Sequence, residues 1–255
     1  YQVDAFTSRL FGGNPAAVCP LEDWPSDDLL QAIAAENNLS ETAYVVRRDD
    51  RFELRWFTPA VEVDLCGHAT LASAFVILSH IEPERDRVVF DTRSGDLTVA
   101  RQGKLLAMDF PSKPPAPCQP PAGLLEALGG EPLEVLKADY HLVTYETEAA
   151  VRALRPNFEA LSTVAAPAVI VAAPGDEADF VSRFFAPAYG LNEDPVTGSA
   201  HCTLIPFYAQ RLCKWTLYAR QISARGGELH CEHRGDRVTI AGEAVLYMEG
   251  SILVG

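Results

Sequence analysis

Glu41 sits in Asn38–Leu39–Ser40–Glu41–Thr42, at the entry to an apolar strand and close to Tyr44. A carboxylate partly desolvated in this way has its pKa raised toward the range useful for proton transfer. The alternative is a solvated turn residue. His68 belongs to Gly67–His68–Ala69–Thr70, and small residues recur in Thr197–Gly198–Ser199–Ala200. Each group opens an apolar stretch of helical length, so each reads as the start of a buried helix. Such a start exposes unpaired N–H groups and a partial positive charge, and glycine lets a ligand approach the backbone. Two such ends across a cleft would bind an anion, with a carboxylate the natural fit; small residues that only permit tight packing are the alternative. The positive helix end predicts a neutral His68, suited to hydrogen bonding or proton relay, although a structural histidine fits equally well. Asp194, in Glu193–Asp194–Pro195 just before the second helix, reads either as a hold on a substrate amine or hydroxyl or as a loop cap.

Other chemistries find no support. His230–Cys231–Glu232–His233 matches no usual zinc spacing and reads as surface strand chemistry, so no metal is expected. The chain lacks a Walker loop, a Gly-x-Gly-x-x-Gly after a strand and a Gly-x-Ser-x-Gly elbow, so nucleotide cofactors and that class of serine hydrolase are not supported.

The elements that position these residues occur twice. Phe52–Glu53–Leu54–Arg55–Trp56–Phe57–Thr58–Pro59–Ala60 recurs as Phe180–Val181–Ser182–Arg183–Phe184–Phe185–Ala186–Pro187–Ala188. Gly67–His68–Ala69 then matches Gly198–Ser199–Ala200, and Arg93–Ser94–Gly95–Asp96–Leu97 matches Arg225–Gly226–Gly227–Glu228–Leu229. Three segments in one order, at nearly one offset, indicate two copies of a domain, too long to be solenoid repeats. A ligand is expected in the cleft between the copies. Glu41 has no acidic counterpart in the second copy, where Ala166–Pro167–Ala168 stands, so one acid is expected from one side.

In the first copy, strands are expected at 1–6, 16–19, 42–46, 52–57, 88–92, 97–101 and 105–110. Ser26, Asp27 and Asp28 should start a helix ending near Asn37–Asn38, and a buried helix should cover 69–80. Six prolines in 111–121 predict a linker that joins neither sheet nor helix. The second copy should hold a helix at 146–154, strands at 168–172 and 180–186, a buried helix at 199–212 with Pro206 inside it, and strands at 228–232, 237–240 and 244–248. The fold class is therefore α+β, with two pseudo-symmetric domains, each a mostly antiparallel sheet rolled around a central buried helix. The expected boundaries are 1–112, a linker at 113–121 and 122–255, with the final strand able to return to the first domain.

The bulk numbers agree with a folded protein acting on a small molecule. Apolar residues make up 48% of the 255 residues, enough for full cores. Net charge is −14 and no basic run exceeds two residues, which disfavours nucleic acid and anionic membrane as partners. No apolar run approaches the ~18 residues of a membrane span. The N-terminal residues carry no signal-peptide pattern, and a cytoplasmic location is expected. The six cysteines, Cys19, Cys66, Cys118, Cys202, Cys213 and Cys231, are expected as free thiols rather than a disulfide framework.

Taken together, Asp4–Ala5–Phe6, Gly13–Asn14–Pro15–Ala16, Asn38–Leu39–Ser40–Glu41–Thr42, Cys66–Gly67–His68–Ala69–Thr70, Glu193–Asp194–Pro195–Val196–Thr197–Gly198–Ser199–Ala200–His201 and Ser223–Ala224–Arg225–Gly226–Gly227 resemble the PhzF (phenazine biosynthesis) family along essentially the whole chain. The resemblance implies the diaminopimelate epimerase-like fold, a homodimer, and isomerase activity without a cofactor, the type reaction being isomerisation of trans-2,3-dihydro-3-hydroxyanthranilate. It implies Glu41 as general acid/base, His68 and Asp194 as its polar partners, and Asn14, Gly67, Gly198 and Ser199 at the substrate, the last two on its carboxylate. Two rivals share the fold. A two-thiol racemase needs a thiol on each side, and Cys66 has no partner before Cys202, inside the second helix; a non-catalytic binding protein would show a degraded site.

Overall fold

Residue types apolar on every face force a helix inward, and the segment Gly67–Val76 is buried from His68 onward except at Phe75. The computed structural model, which describes residues 1–254, builds two units. The first comprises residues 1–109 and 241–254, the second Phe110–Ile240.

In the first unit the strands lie side by side in the order Ala244–Met248, Gln2–Ala5, Asn14–Leu21, Glu41–Arg48, Arg51–Phe57, Arg87–Asp91, Leu97–Gln102 and Leu105–Pro111. Neighbours are antiparallel except at two junctions, Asn14–Leu21 with Glu41–Arg48 and Arg51–Phe57 with Arg87–Asp91. The helix Gly67–Val76 packs on Gln2–Ala5, Asn14–Leu21 and Glu41–Arg48. Its last turn widens into a π turn, Ile77–Ile81, closed by the Glu82 N–H on the Ile77 carbonyl at 2.7 Å. The helix expected over 69–80 is thus an α-helix that starts two residues earlier and ends in this wider turn.

Six strands of the second unit repeat the pattern of the six from Gln2–Ala5 to Leu97–Gln102. Glu134–Lys137, His141–Thr144, Val169–Pro174, Phe180–Ala186, Thr216–Gln221 and Gly227–Arg234 are successive neighbours. The parallel junctions fall at the same two places, His141–Thr144 with Val169–Pro174 and Phe180–Ala186 with Thr216–Gln221. The buried helix Gly198–Leu212 occupies the place of Gly67–Val76 in the chain order. The duplication is therefore one of topology and not only of residues.

The proline-rich stretch departs from expectation. Ala116 and Pro117 pair with Lys137 and Leu136, and Cys118 donates its N–H to the Val135 carbonyl at 3.1 Å. Proline is tolerated on an edge, where its missing donor faces no partner, and the intervening residues supply the bonds. The segment is an edge of the second unit rather than a linker free of the sheet, and residues 241–254 return to the first unit. No helix among the described residues is long and apolar enough to cross a membrane.

The repeated arginine explains why the strand motif occurs twice. Arg55 makes a two-pronged ion pair with Glu62, its Nε and Nη2 at 2.7 and 2.8 Å from the two carboxylate oxygens. Arg183 does the same with Glu193 at 2.7 and 2.9 Å. Each guanidinium also lies over a phenylalanine two residues on, Phe57 at 5.1 Å and Phe185 at 4.8 Å. The fixed fork of arginine suits this double contact.

Candidate active site

Glu41 is placed by the helix before it. Ser26 caps the helix Asp27–Asn37, its hydroxyl accepting the Leu29 N–H at 3.4 Å, and Asn38 ends it in the left-handed conformation at φ 48°. The Asn37 side chain then donates to the Thr42 hydroxyl at 3.1 Å, and the Tyr44 hydroxyl donates to the Leu30 carbonyl at 2.6 Å. These bonds hold the first residues of strand Glu41–Arg48 against the helix, so its leading residue, Glu41, stands at the strand end beside Ala16.

Asn14 opens the neighbouring strand. Gly13 before it has φ +62°, and a Cβ there would lie 2.1 Å from the Ala5 carbonyl oxygen. Only glycine permits that approach. The Asn14 side-chain nitrogen lies 3.2 Å from His68 Nδ1.

His68 sits in the first turn of the buried helix, following Cys66 in extended conformation at the cap position. The Cys66 sulfur is 3.5 Å from His68 Nδ1, and Glu41 Oε2 is 3.1 Å from His68 Nε2. The structure thus gathers Asn14, Glu41, Cys66 and His68, with Gly67 between the last two. The His68 side chain is 6% exposed and that of Glu41 19%. His68 Nε2 and Glu41 Oε2 are buried atoms that do not align as a hydrogen bond and have no other hydrogen-bond partner among the described residues. Buried polar atoms are normally satisfied, and exceptions concentrate where ligands or chemistry come.

Burial alone pushes the His68 pKa down, but the neighbouring Cys66 sulfur and Glu41 carboxylate outweigh it and hold the imidazole well above its ordinary value. Burial, followed by the Glu41 carboxylate, pushes the Cys66 thiol up. This direction opposes the neutral His68 expected from the helix end. A carboxylate at contact distance outweighs a partial helix-end charge, which is worth typically ~0.3–1 kcal/mol when exposed.

In the second unit Asp194 closes the strand Leu191–Asp194 and is nearly buried. Its carboxylate accepts the Thr197 hydroxyl at 2.5 Å. Gln221 locks this start of the helix: its side-chain oxygen accepts the Thr197 N–H at 2.8 Å, and its nitrogen donates to the Asp194 carbonyl at 2.8 Å. Gly198 and Ser199 form the first turn, with the Tyr140 hydroxyl 3.4 Å from that of Ser199. His201 donates from Nδ1 to the Thr197 carbonyl at 2.9 Å, as the Thr70 hydroxyl donates to the Cys66 carbonyl at 2.5 Å in the first unit. Cys66 and Thr197 are therefore equivalent positions. Gln221 and Tyr140 were not legible as site residues: neither lies in a motif, Gln221 ends the strand Thr216–Gln221 and Tyr140 lies in the bend before His141–Thr144, both distant in sequence from the helix start.

A family model described as phenazine biosynthesis-like protein matches residues 3–250. The chain belongs to that family. Relatives include a protein of Pseudomonas aeruginosa named as an uncharacterized isomerase, 56% identical over 252 residues, covering 99% of this chain and 97% of the relative. The human phenazine biosynthesis-like domain-containing protein is 39% identical over 278 residues, covering 98% of this chain and 96% of its own. Among solved structures, a PhzF-family phenazine biosynthesis protein of Enterococcus faecalis superposes with a TM-score of 0.97 at 43% identity, covering 100% of this chain and 98% of that one. A probable proline racemase of Agrobacterium radiobacter, at TM-score 0.63 and 10% identity, shares the fold alone. The phenazine biosynthesis-like fold and the epimerase-like architecture expected from the sequence are thus both met.

Proposed function

We propose that this chain is a cofactor-independent isomerase that moves a proton between carbons of a small carboxylate-bearing molecule, with Glu41 as the general acid/base. The observation that carries the reading is the buried, unaligned pair Glu41 Oε2 and His68 Nε2 at 3.1 Å. A carboxylate held there without a hydrogen bond from its neighbour keeps a lone pair for a substrate C–H. His68 beside it offers its Nε2–H to the charge that develops on the substrate as that proton leaves. The same carboxyl group then returns the proton to a second carbon. Asn14 and Cys66, both on the Nδ1 side, fix the ring.

For the second unit taken by itself, the backbone N–H groups of Gly198 and Ser199 are proposed to bind a carboxylate. Asp194, through Thr197, is proposed as the polar group that holds this helix start. The isomerase names of relatives support the reaction class. Two-thiol racemisation is disfavoured because the position equivalent to Cys66 is Thr197, which carries a hydroxyl and not a thiol.

The test is Glu41→Gln, which preserves size and removes the base. With trans-2,3-dihydro-3-hydroxyanthranilate as the first compound tried, the variant should fold normally and turn over at least ~10²–10⁴-fold more slowly. Turnover within a few-fold of the parent would rule Glu41 out.

A further inference from the structure

The pair Glu41–His68 has a counterpart in the second unit. Thr42 stands opposite Phe57 and Val169 opposite Phe185, and the two phenylalanines are equivalent in the repeated strand motif. Ala168 therefore holds the place of Glu41, and it is buried. One strand over, Ala17 stands beside Thr42 and His141 beside Val169. Tyr140, one residue before His141, thus holds the place of Ala16, the residue beside Glu41. Ser199 holds the place of His68 in the matched helix starts. The Tyr140 and Ser199 hydroxyls lie 3.4 Å apart, where Glu41 Oε2 and His68 Nε2 lie 3.1 Å apart. The second unit thus rebuilds a polar pair at the same place in the fold, with the long side chain supplied by the neighbouring strand position.

We propose that Tyr140 is a substrate-binding residue: its hydroxyl and that of Ser199 both donate to one oxygen of the substrate carboxylate. This rests on the carboxylate binding proposed above for Gly198 and Ser199. Hydroxyls bonded to each other usually stand about 2.7–2.8 Å apart, so the 3.4 Å contact is slack. One carboxylate oxygen about 2.7 Å from each hydroxyl would take both protons. The phenol is held for this role. Its ring stands edge-on to Phe184, with centroids 5.1 Å apart and planes at 86°, and Phe184 lies opposite Asp194 on the adjacent strand. The Ala138 N–H donates to the Tyr140 carbonyl at 3.1 Å, which tightens the bend that carries the ring. Tyr140 and Ser199 are both half-buried, so a ligand reaches them. The charge of the neighbouring Asp139 is offset by Lys113, whose Nζ is 3.6 Å away. Two O–H donors beside the positive end of a helix favour an anion over a neutral amide of the same shape.

The test uses binding and needs no turnover, so its failure and that of the isomerase reading are separable. Benzoate and benzamide, two rings that differ only in carboxylate against carboxamide, are titrated into the full chain by calorimetry. The expected result is benzoate bound at least about tenfold more tightly than benzamide, because hydrogen bonds to a charged group are the stronger ones. Tyr140→Phe keeps the ring against Phe184 and removes only the hydroxyl. It should lower benzoate affinity at least about tenfold and leave benzamide within about twofold. Ser199→Ala should narrow the same preference, which keeps the test decisive if Tyr140→Phe folds poorly. No binding of benzoate to the parent, equal affinity for the two compounds, or unchanged benzoate affinity in Tyr140→Phe would overturn the assignment. Equal losses for both compounds in Tyr140→Phe would also overturn it, since a packing role alone weakens them alike.

Discussion

His68 Nε2 stands 3.1 Å from Glu41 Oε2, yet the two are not aligned as a hydrogen bond. A merely structural pair would close that bond, because an unmade hydrogen bond in a buried place costs about 1–3 kcal/mol. Here the geometry is imposed from outside the pair. Asn14 and Cys66 hold the ring from its Nδ1 side, while the capped helix Asp27–Asn37 and the Asn37–Thr42 contact hold the strand that begins with Glu41.

Gly13→Ala tests how strictly the Asn14 end is set. The φ of +62° and the 2.1 Å approach to the Ala5 carbonyl leave no room for a Cβ. Backbone strain of this kind costs about 1–3 kcal/mol, and the clash adds to it. Urea denaturation should show a loss of at least ~2 kcal/mol; a change below about 0.5 kcal/mol would mean that the turn relaxes freely.

Gln221→Leu tests the lock on the second helix. It removes both partners of the Thr197 and Asp194 backbone groups at a fully buried position. Leaving those groups unsatisfied should cost about 2–4 kcal/mol, read from the urea midpoint at constant slope. An unchanged midpoint would show that the helix start holds without it.

His201 should make stability fall in acid. Burial pushes its pKa down to about 4 while its Nδ1–H bond to the Thr197 carbonyl opposes the shift only partly. Between pH 6.5 and 4 the unfolded chain binds a proton at this ring that the folded chain refuses, so its contribution is complete above about pH 6.5 and is lost as pH falls toward 4. The shift is equivalent to about 3 kcal/mol over that window. His201→Asn keeps a donor for the carbonyl and does not titrate; its denaturation midpoint should be less sensitive to pH between 6.5 and 4 than that of the parent. Equal sensitivity would assign the acid lability elsewhere.

Much of this was legible in residues whose pattern is local. Ser26, Asp27 and Asp28 announced a helix start, the apolar run after Gly67 announced a buried helix, and the repeated Arg55 and Arg183 strands announced the duplication. What escaped was set by partners far along the chain. The short helices Leu124–Leu128 and Phe158–Thr163 span too few turns to show periodicity. The strand Thr216–Gln221 becomes one because Phe180–Ala186 and Gly227–Arg234 flank it. The upward pull on the His68 pKa comes in part from Glu41, 27 positions earlier, which no spacing along one helix reports.

The central claim is tested most directly by proton NMR of the protein with trans-2,3-dihydro-3-hydroxyanthranilate in D₂O, beside Glu41→Gln. The account predicts deuterium at carbon in the isomerised product of the parent and none with the variant. Equal deuterium incorporation by both would contradict Glu41 as the proton carrier.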